Sequence, residues 1–225
     1  MNNTGFAGDQ KVGQSLLTGV EKAFVAWGTP RIPAWLQTYH LTMLTVLWSG
    51  LNVLLGFLAS NDLRWLWMIS VVIVFQYLTD LFDGAVGRSR GTGLIKWGFY
   101  MDHLLDYVFL GSLILAGYLI APPDLGIYYV VLLVLTGGFM VSSFLTFAAT
   151  NRFEIYILGF GPTETRILFV LINTVIVMTG TGHFYISLPI LCGVCLIGLL
   201  VVVKRASDQL WALDMQKKRE LADSV

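Results

Sequence analysis

Charge is scarce in this chain. Asp, Glu, Lys and Arg make up only 12% of its 225 residues, against 56% hydrophobic residues and a mean hydropathy of +0.73. That balance excludes a disordered protein and most soluble folds. The 14 basic residues cancel the 14 acidic ones, so no global basic field recruits nucleic acid. Cysteine is limited to Cys192 and Cys195, both inside one apolar run. A single C-G-V-C pair with no second pair and no flanking basic group is no disulfide framework, and it reads better as buried apolar side chains than as redox or metal chemistry. The first ten residues are polar and lack the basic segment, apolar stretch and small-residue cleavage site of a secretory leader. Membrane insertion is therefore expected from internal helices. No internal repeat or low-complexity run is visible.

What the chain has instead is long apolar runs. A membrane-spanning helix takes about 20 residues, and hydropathy marks six of them near 40–60, 65–84, 99–121, 127–149, 164–180 and 183–203. Turn residues separate the runs: Ser60-Asn61-Asp62, the Gly/Arg-rich stretch from Gly84 to Gly98, Pro122-Pro123-Asp124, the stretch from Thr150 to Pro162, and Gly180-Thr181-Gly182. Ahead of them, Val12 to Trp27 places Leu16, Leu17, Val20, Phe24 and Val25 at helical spacing among Gln14, Glu21 and Lys22. This predicts an amphipathic helix, too polar to span, lying in the interface plane. Pro30 and Pro33 then break it. The expected fold is an all-α integral membrane protein of six transmembrane helices preceded by this interfacial helix. Its parts are a juxtamembrane segment 1–34, a six-helix domain 35–204 and a charged tail 205–225, read as a short exposed helix.

Sorting the basic residues by loop gives an orientation. All but one of the 14, Arg64 being the exception, fall on the side that carries both termini. The positive-inside rule places that side, with the 85–98 and 150–163 loops, in the cytoplasm.

Ionisable groups among apolar neighbours are costly near a membrane and mark function. Asp80 and Asp83 stand three residues apart and Asp102 and Asp106 four apart, so each pair shares one face of its helix. A connection of about fourteen residues joins the two helices, which predicts that they are neighbours and that the four carboxylates converge. Solvated loop charges would not sit beside Phe82, Tyr100, Leu104, Leu105, Tyr107 and Val108. Four like charges in a low-dielectric pocket call for protonation or for bound cations. Oxygen-only ligands select Mg²⁺ or Mn²⁺, and four carboxylates suffice for two ions able to stabilise a phosphoryl group in transfer.

The stretch from Asp80 to Asp106 resembles the signature of the CDP-alcohol phosphotransferase family, D-x2-D-G-x2-A-R-x8–9-G-x3-D-x3-D. Asp80, Asp83, Gly84, Arg88, Gly98, Asp102 and Asp106 stand at its fixed positions, and Gly87 replaces the family's alanine. The resemblance implies six spans, a homodimer, and transfer of a substituted phosphate from a CDP-linked donor to a hydroxyl with release of CMP. It implies metal ligands at Asp80, Asp83, Asp102 and Asp106, with Asp106 also the catalytic base. Nucleotide contacts are implied at Gly84, Arg88 and Gly98, with Asp80, Asp83 and Asp102 alongside. Independent chemistry agrees, since glycine admits close approach of a ligand and a guanidinium clamps diphosphate oxygens. CDP-diacylglycerol with a polar alcohol, and a CDP-aminoalcohol such as CDP-choline or CDP-ethanolamine with diacylglycerol, both fit the signature. One substrate is a lipid and the lipid bilayer is the setting in either case.

Other residues carry two readings each. Gly161-Pro162-Thr163-Glu164-Thr165-Arg166 is a helix start by its proline and early acid, or, as its resemblance to Gly-Pro-Thr-Glu stretches in some members of the same family implies, a place where Glu164 and Arg166 line the acceptor pocket. Arg152 is a positive-inside anchor or a ligand of acceptor phosphate. His103 is polar packing or a base, and Arg90 and Lys96 orient the loop. Two rival functions are a magnesium-dependent prenyltransferase, whose aspartates lie on well-separated motifs, and a cation transporter or channel. The latter would place its acids near the midplane in broken helices, whereas here they cluster toward one end.

Overall fold

The computed structural model describes residues 11–12, 18–92, 94–150, 153–154 and 161–223. Helix α1 (Thr18–Gly28) leads into six helices long and apolar enough to cross a membrane: α2 (Thr38–Ala59), α3 (Leu66–Arg90), α4 (Ile95–Ile120), α5 (Gly126–Thr150), α6 (Pro162–Thr179) and α7 (Phe184–Asp223). Two-residue strands β1 (Lys11–Val12) and β2 (Phe153–Glu154) pair in parallel. This is a multi-pass membrane protein, with the expected six spans and the expected helix before them.

Helix α2 is the centre of the bundle, packing along both α3 and α4, while α6 lies on α3 and α5 on α7. The buried face of α2 is mostly small and polar: Thr42, Thr45, Ser49, Asn52, Gly56 and Ala59 recur at spacings of three and four, with Leu41 and Leu55 beside them. In lipid, apolar burial does not distinguish protein from solvent, so close approach of backbones and interhelical hydrogen bonds hold helices together. Gly56 meets α4 so closely that a Cβ there would lie 2.7 Å from the backbone of Ala116. Asn52 donates to Ser112 Oγ of α4 at 3.1 Å. The large residues on the opposite face, Val46, Leu47, Leu54 and Phe57, are exposed, as a lipid-facing surface requires. Leu66, Ile69 and Ile73 of α3 join Phe109 and Leu113 of α4 and Phe184 and Leu188 of α7 in the apolar core, where Cys192 also sits.

Three boundaries differ from hydropathy. Helix α3 does not end at Gly84 but continues through the Gly/Arg-rich stretch to Arg90, so the connection to α4 shrinks to four residues, 91–94. Ala85 and Val86 are buried there, and packing rather than apolar length sustains the helix. Gly91 closes it in the left-handed conformation at φ 60°, which glycine adopts without strain. Arg90 fastens the end of α3 to the preceding segment by donating to the carbonyls of Ile32, Pro33 and Leu36 at 2.7–3.1 Å. Helix α7 runs unbroken through the charged tail to Asp223, with Lys204 donating to Asp208 one turn on. The leading helix begins at Thr18, and Leu16 and Leu17 lie outside the described residues.

The turn between α2 and α3 carries Arg64. Arg64 makes hydrogen bonds of 2.8–3.0 Å to the Asp62 carboxylate, which hold that carboxyl below its ordinary range. At the other end of α2, His40 accepts the Gln37 backbone N–H at its Nδ1 and so caps the helix.

A Gly56→Ala substitution tests the α2–α4 approach. Pushing a methyl into backbone rather than into a mobile side chain should cost about 1–3 kcal/mol, seen as a lower melting temperature in detergent. An unchanged melting temperature would show that the two helices do not touch at Gly56.

Candidate active site

The expected convergence of carboxylates is present for three of the four. One oxygen from each of Asp80, Asp102 and Asp106 lies within 4.8 Å of the others. Helix α3 supplies Asp80, and α4 supplies Asp102 and Asp106 one turn apart on one face. Their side chains are 23%, 27% and 32% exposed, so water screens them only in part.

Asp83 is turned toward α2. Its Oδ2 accepts from Thr42 Oγ1 at 3.0 Å, and its backbone carbonyl accepts from Thr38 Oγ1 at 2.7 Å. It therefore stands beside the cluster, outside the group of three.

Arg166, from the first turns of α6, faces the cluster. Its Nη2 donates to Asp80 Oδ2 at 2.8 Å and lies 3.6 Å from Asp106 Oδ1, with its side chain only 12% exposed. Gln76, fully buried one turn before Asp80, accepts the Arg166 Nε–H at 2.9 Å and fixes the plane of the guanidinium. The Tyr77 ring lies 5.5 Å below the same guanidinium, in cation–π range. Among the described residues the Gln76 amide Nε2 finds no hydrogen-bond partner. Gln76 and Tyr77 escaped the sequence reading because nothing local marks a membrane glutamine or tyrosine as the support of an arginine 90 residues away.

The two glycines of the signature differ in surroundings. A Cβ on Gly84 would come within 3.2 Å of Arg88 Nη1, so glycine lets the guanidinium fold back along α3. A Cβ on Gly98 would meet nothing within 4 Å among the described residues; packing within the protein does not demand glycine there. Gly87, where the family signature has alanine, lies where a Cβ would be 3.2 Å from Thr38 Oγ1, a tight but yielding contact.

Glu164 accepts the Gly161 backbone N–H at 3.0 Å, the helix-initiating half of its two readings. His103 hydrogen-bonds the Phe99 carbonyl at 2.7 Å through Nδ1 and packs between the rings of Phe99 and Phe144, with Asp102 Oδ2 3.7 Å away. Arg152 lies outside the described residues.

The donor set fits a hard divalent cation. Three carboxylates converge without nitrogen or sulfur, the chemistry Mg²⁺ and Mn²⁺ prefer. The multi-pass bundle thus gathers three carboxylates and an arginine from α3, α4 and α6. A family model described as CDP-alcohol phosphatidyltransferase matches residues 33–204, and the chain belongs to that family. Its members are phosphotransferases, generally dependent on divalent metal, and phosphotransfer in phospholipid synthesis is the activity the membership carries. No curated protein and no solved structure matches the chain.

Because Arg166 competes with any cation for Asp80 and Asp106, Arg166→Gln should raise Mn²⁺ affinity by about tenfold or more. Titration followed by the Mn²⁺ electron paramagnetic resonance signal reads this directly. Unchanged or weaker binding would mean that the guanidinium does not face the ion's place.

Proposed function

We propose that the protein transfers a substituted phosphate from a CDP-linked donor to an alcohol hydroxyl and releases CMP. The observation that carries this reading is the group of three carboxylates closed by Arg166, on the stretch that resembles the family's signature.

Asp80, Asp102 and Asp106 are the residues that would hold divalent cation, Mg²⁺ or Mn²⁺, with Asp83 completing the set for two ions. When bound, such ions offset charge on the two phosphates of the donor. Arg88, lying over Gly84, reaches for the diphosphate, and the open side of Gly98 admits the nucleotide. Asp106 takes the proton of the acceptor hydroxyl as its oxygen attacks the donor phosphorus. The bond from that phosphorus to the bridging oxygen breaks, and the electron pair leaves on CMP. Arg166 faces the phosphoryl oxygens from the α6 side. Glu164 serves the acceptor end by holding the α6 start in place, and Arg152, outside the described residues, is a candidate ligand of acceptor phosphate by sequence alone.

The distribution of basic residues supports a cytoplasmic site with both termini on that side, and the family resemblance supports a homodimer. The donor is CDP-diacylglycerol with a polar alcohol as acceptor, or a CDP-aminoalcohol with diacylglycerol; both use the same CDP contacts, and the test separates them. A position where hydrocarbon meets water suits either pair, because one substrate is a lipid and the other is charged.

Purified protein with Mg²⁺ or Mn²⁺ should release CMP when given CDP-diacylglycerol plus a pool of polar alcohols. A second reaction offers CDP-choline or CDP-ethanolamine plus diacylglycerol. Release confined to one of the two names the donor, and silence in both would overturn the function. Asp102→Asn should leave a folded protein with less than a few per cent of the turnover. Asp106→Asn should cut turnover by about a hundredfold or more while changing CDP affinity far less; parallel losses in both would remove Asp106 from the role of base.

A further inference from the structure

Helix α1 is expected to lie on the membrane surface, yet one of its side chains faces the protein. The Glu21 carboxylate accepts two hydroxyl hydrogen bonds at the same oxygen, Oε1: from Tyr77 Oη of α3 at 2.7 Å and from Thr163 Oγ1 of α6 at 2.8 Å. The donors come from positions 56 and 142 residues further along the chain. Nothing in an interfacial role requires this, since the acid of a helix lying on a membrane gains most by facing water.

The two donors are placed with respect to the site. Tyr77 stands three residues before Asp80 on α3, and Thr163 three residues before Arg166 on α6, so each lies one turn from one partner of the Asp80–Arg166 pair on nearly the same helix face. Tyr77 also offers its ring to the Arg166 guanidinium. Helix α1 is itself held: the Phe24 and Phe82 rings are 5.4 Å apart, and Gly28 lies so near Phe82 that a Cβ would come within 2.5 Å of the ring. Its other face leaves Val20 and Trp27 exposed, at 69% and 57%. The helix is thus seated on α3 by aromatic contact and reaches α6 through one carboxylate.

We propose that Glu21 is a positioning residue for the acidic site, joining Tyr77 to Thr163 so that the first turn of α6, and with it Arg166, is locked against α3. Without Glu21, α6 keeps its own helix start but loses the link between its first turn and α1. Arg166 then samples orientations away from Asp80 and Asp106, and the reacting phosphate loses a fixed positive partner. The proposal rests on the phosphotransfer reading above.

The test uses the full chain in nanodiscs and the CMP-release assay. Removing this pair of hydrogen bonds should lower kcat about tenfold in Glu21→Ala, with KM for the CDP donor unchanged within about twofold. Glu21→Gln, whose amide oxygen accepts the same two bonds, should recover most of the loss. A Tyr77→Phe/Thr163→Val double variant, which leaves α1 untouched, should lose as much as Glu21→Ala, and it decides the matter if Glu21→Ala does not fold. Wild-type kcat in Glu21→Ala or in the double variant would overturn the proposal, as would a Gln variant no better than Ala. Wild-type protein that releases no CMP from any donor would instead overturn the function itself.

Discussion

Three carboxylates whose oxygens come within 4.8 Å of one another, partly withdrawn from water and surrounded by apolar helices, repel each other at close range. A fold that gathers them needs positive charge at the same place, and the architecture around the site answers that need. Arg166 supplies a guanidinium from α6 at 2.8 Å from Asp80 and 3.6 Å from Asp106. Gln76 and Tyr77 hold that guanidinium from below. Three carboxylates balanced by one fixed guanidinium keep an excess of negative charge that suits divalent cations, which offset phosphate charge in phosphotransfer.

The rest of the bundle keeps the helices close enough for this to work. The small, polar face of α2 draws α3 and α4 together. The same face ends at Thr38 and Thr42, which hold the backbone and carboxylate of Asp83. Arg90 binds the end of α3 to the carbonyls of residues 32, 33 and 36, so the segment joining α1 to α2 is fastened to the helix that bears Asp80. Along α2 the close packing comes from residues small enough to let backbones meet, while large apolar side chains fill the core between α3, α4 and α7.

The spans were legible in the sequence because hydropathy over twenty residues reports a global property of the solvent around the chain. The aspartates were legible because spacings of three and four place them on helix faces whatever the tertiary detail. The course of α3 past Gly84 was not: glycines and arginines signal a turn by composition, and only the burial of Ala85 and Val86 shows why the helix continues. Asp83 read as one of four equals, and its hydrogen bond to Thr42 sets it apart. Glu21 read as the polar face of an interfacial helix, since its partners lie 56 and 142 residues away and leave no local trace. In the Gly161–Arg166 stretch, Glu164 accepts the Gly161 N–H at the helix start while Arg166 faces the three carboxylates, a contact that no local pattern marks.

The most direct measurement is the location of bound Mn²⁺ by anomalous scattering from crystals grown with Mn²⁺ and CDP. The account predicts a peak at coordination distance, about 2.2 Å, from oxygens of Asp80, Asp102 and Asp106, with the CDP phosphates on its open side and Arg166 drawn off Asp106. A CDP molecule bound with no peak between these three carboxylates, or a peak held by other residues, would contradict it.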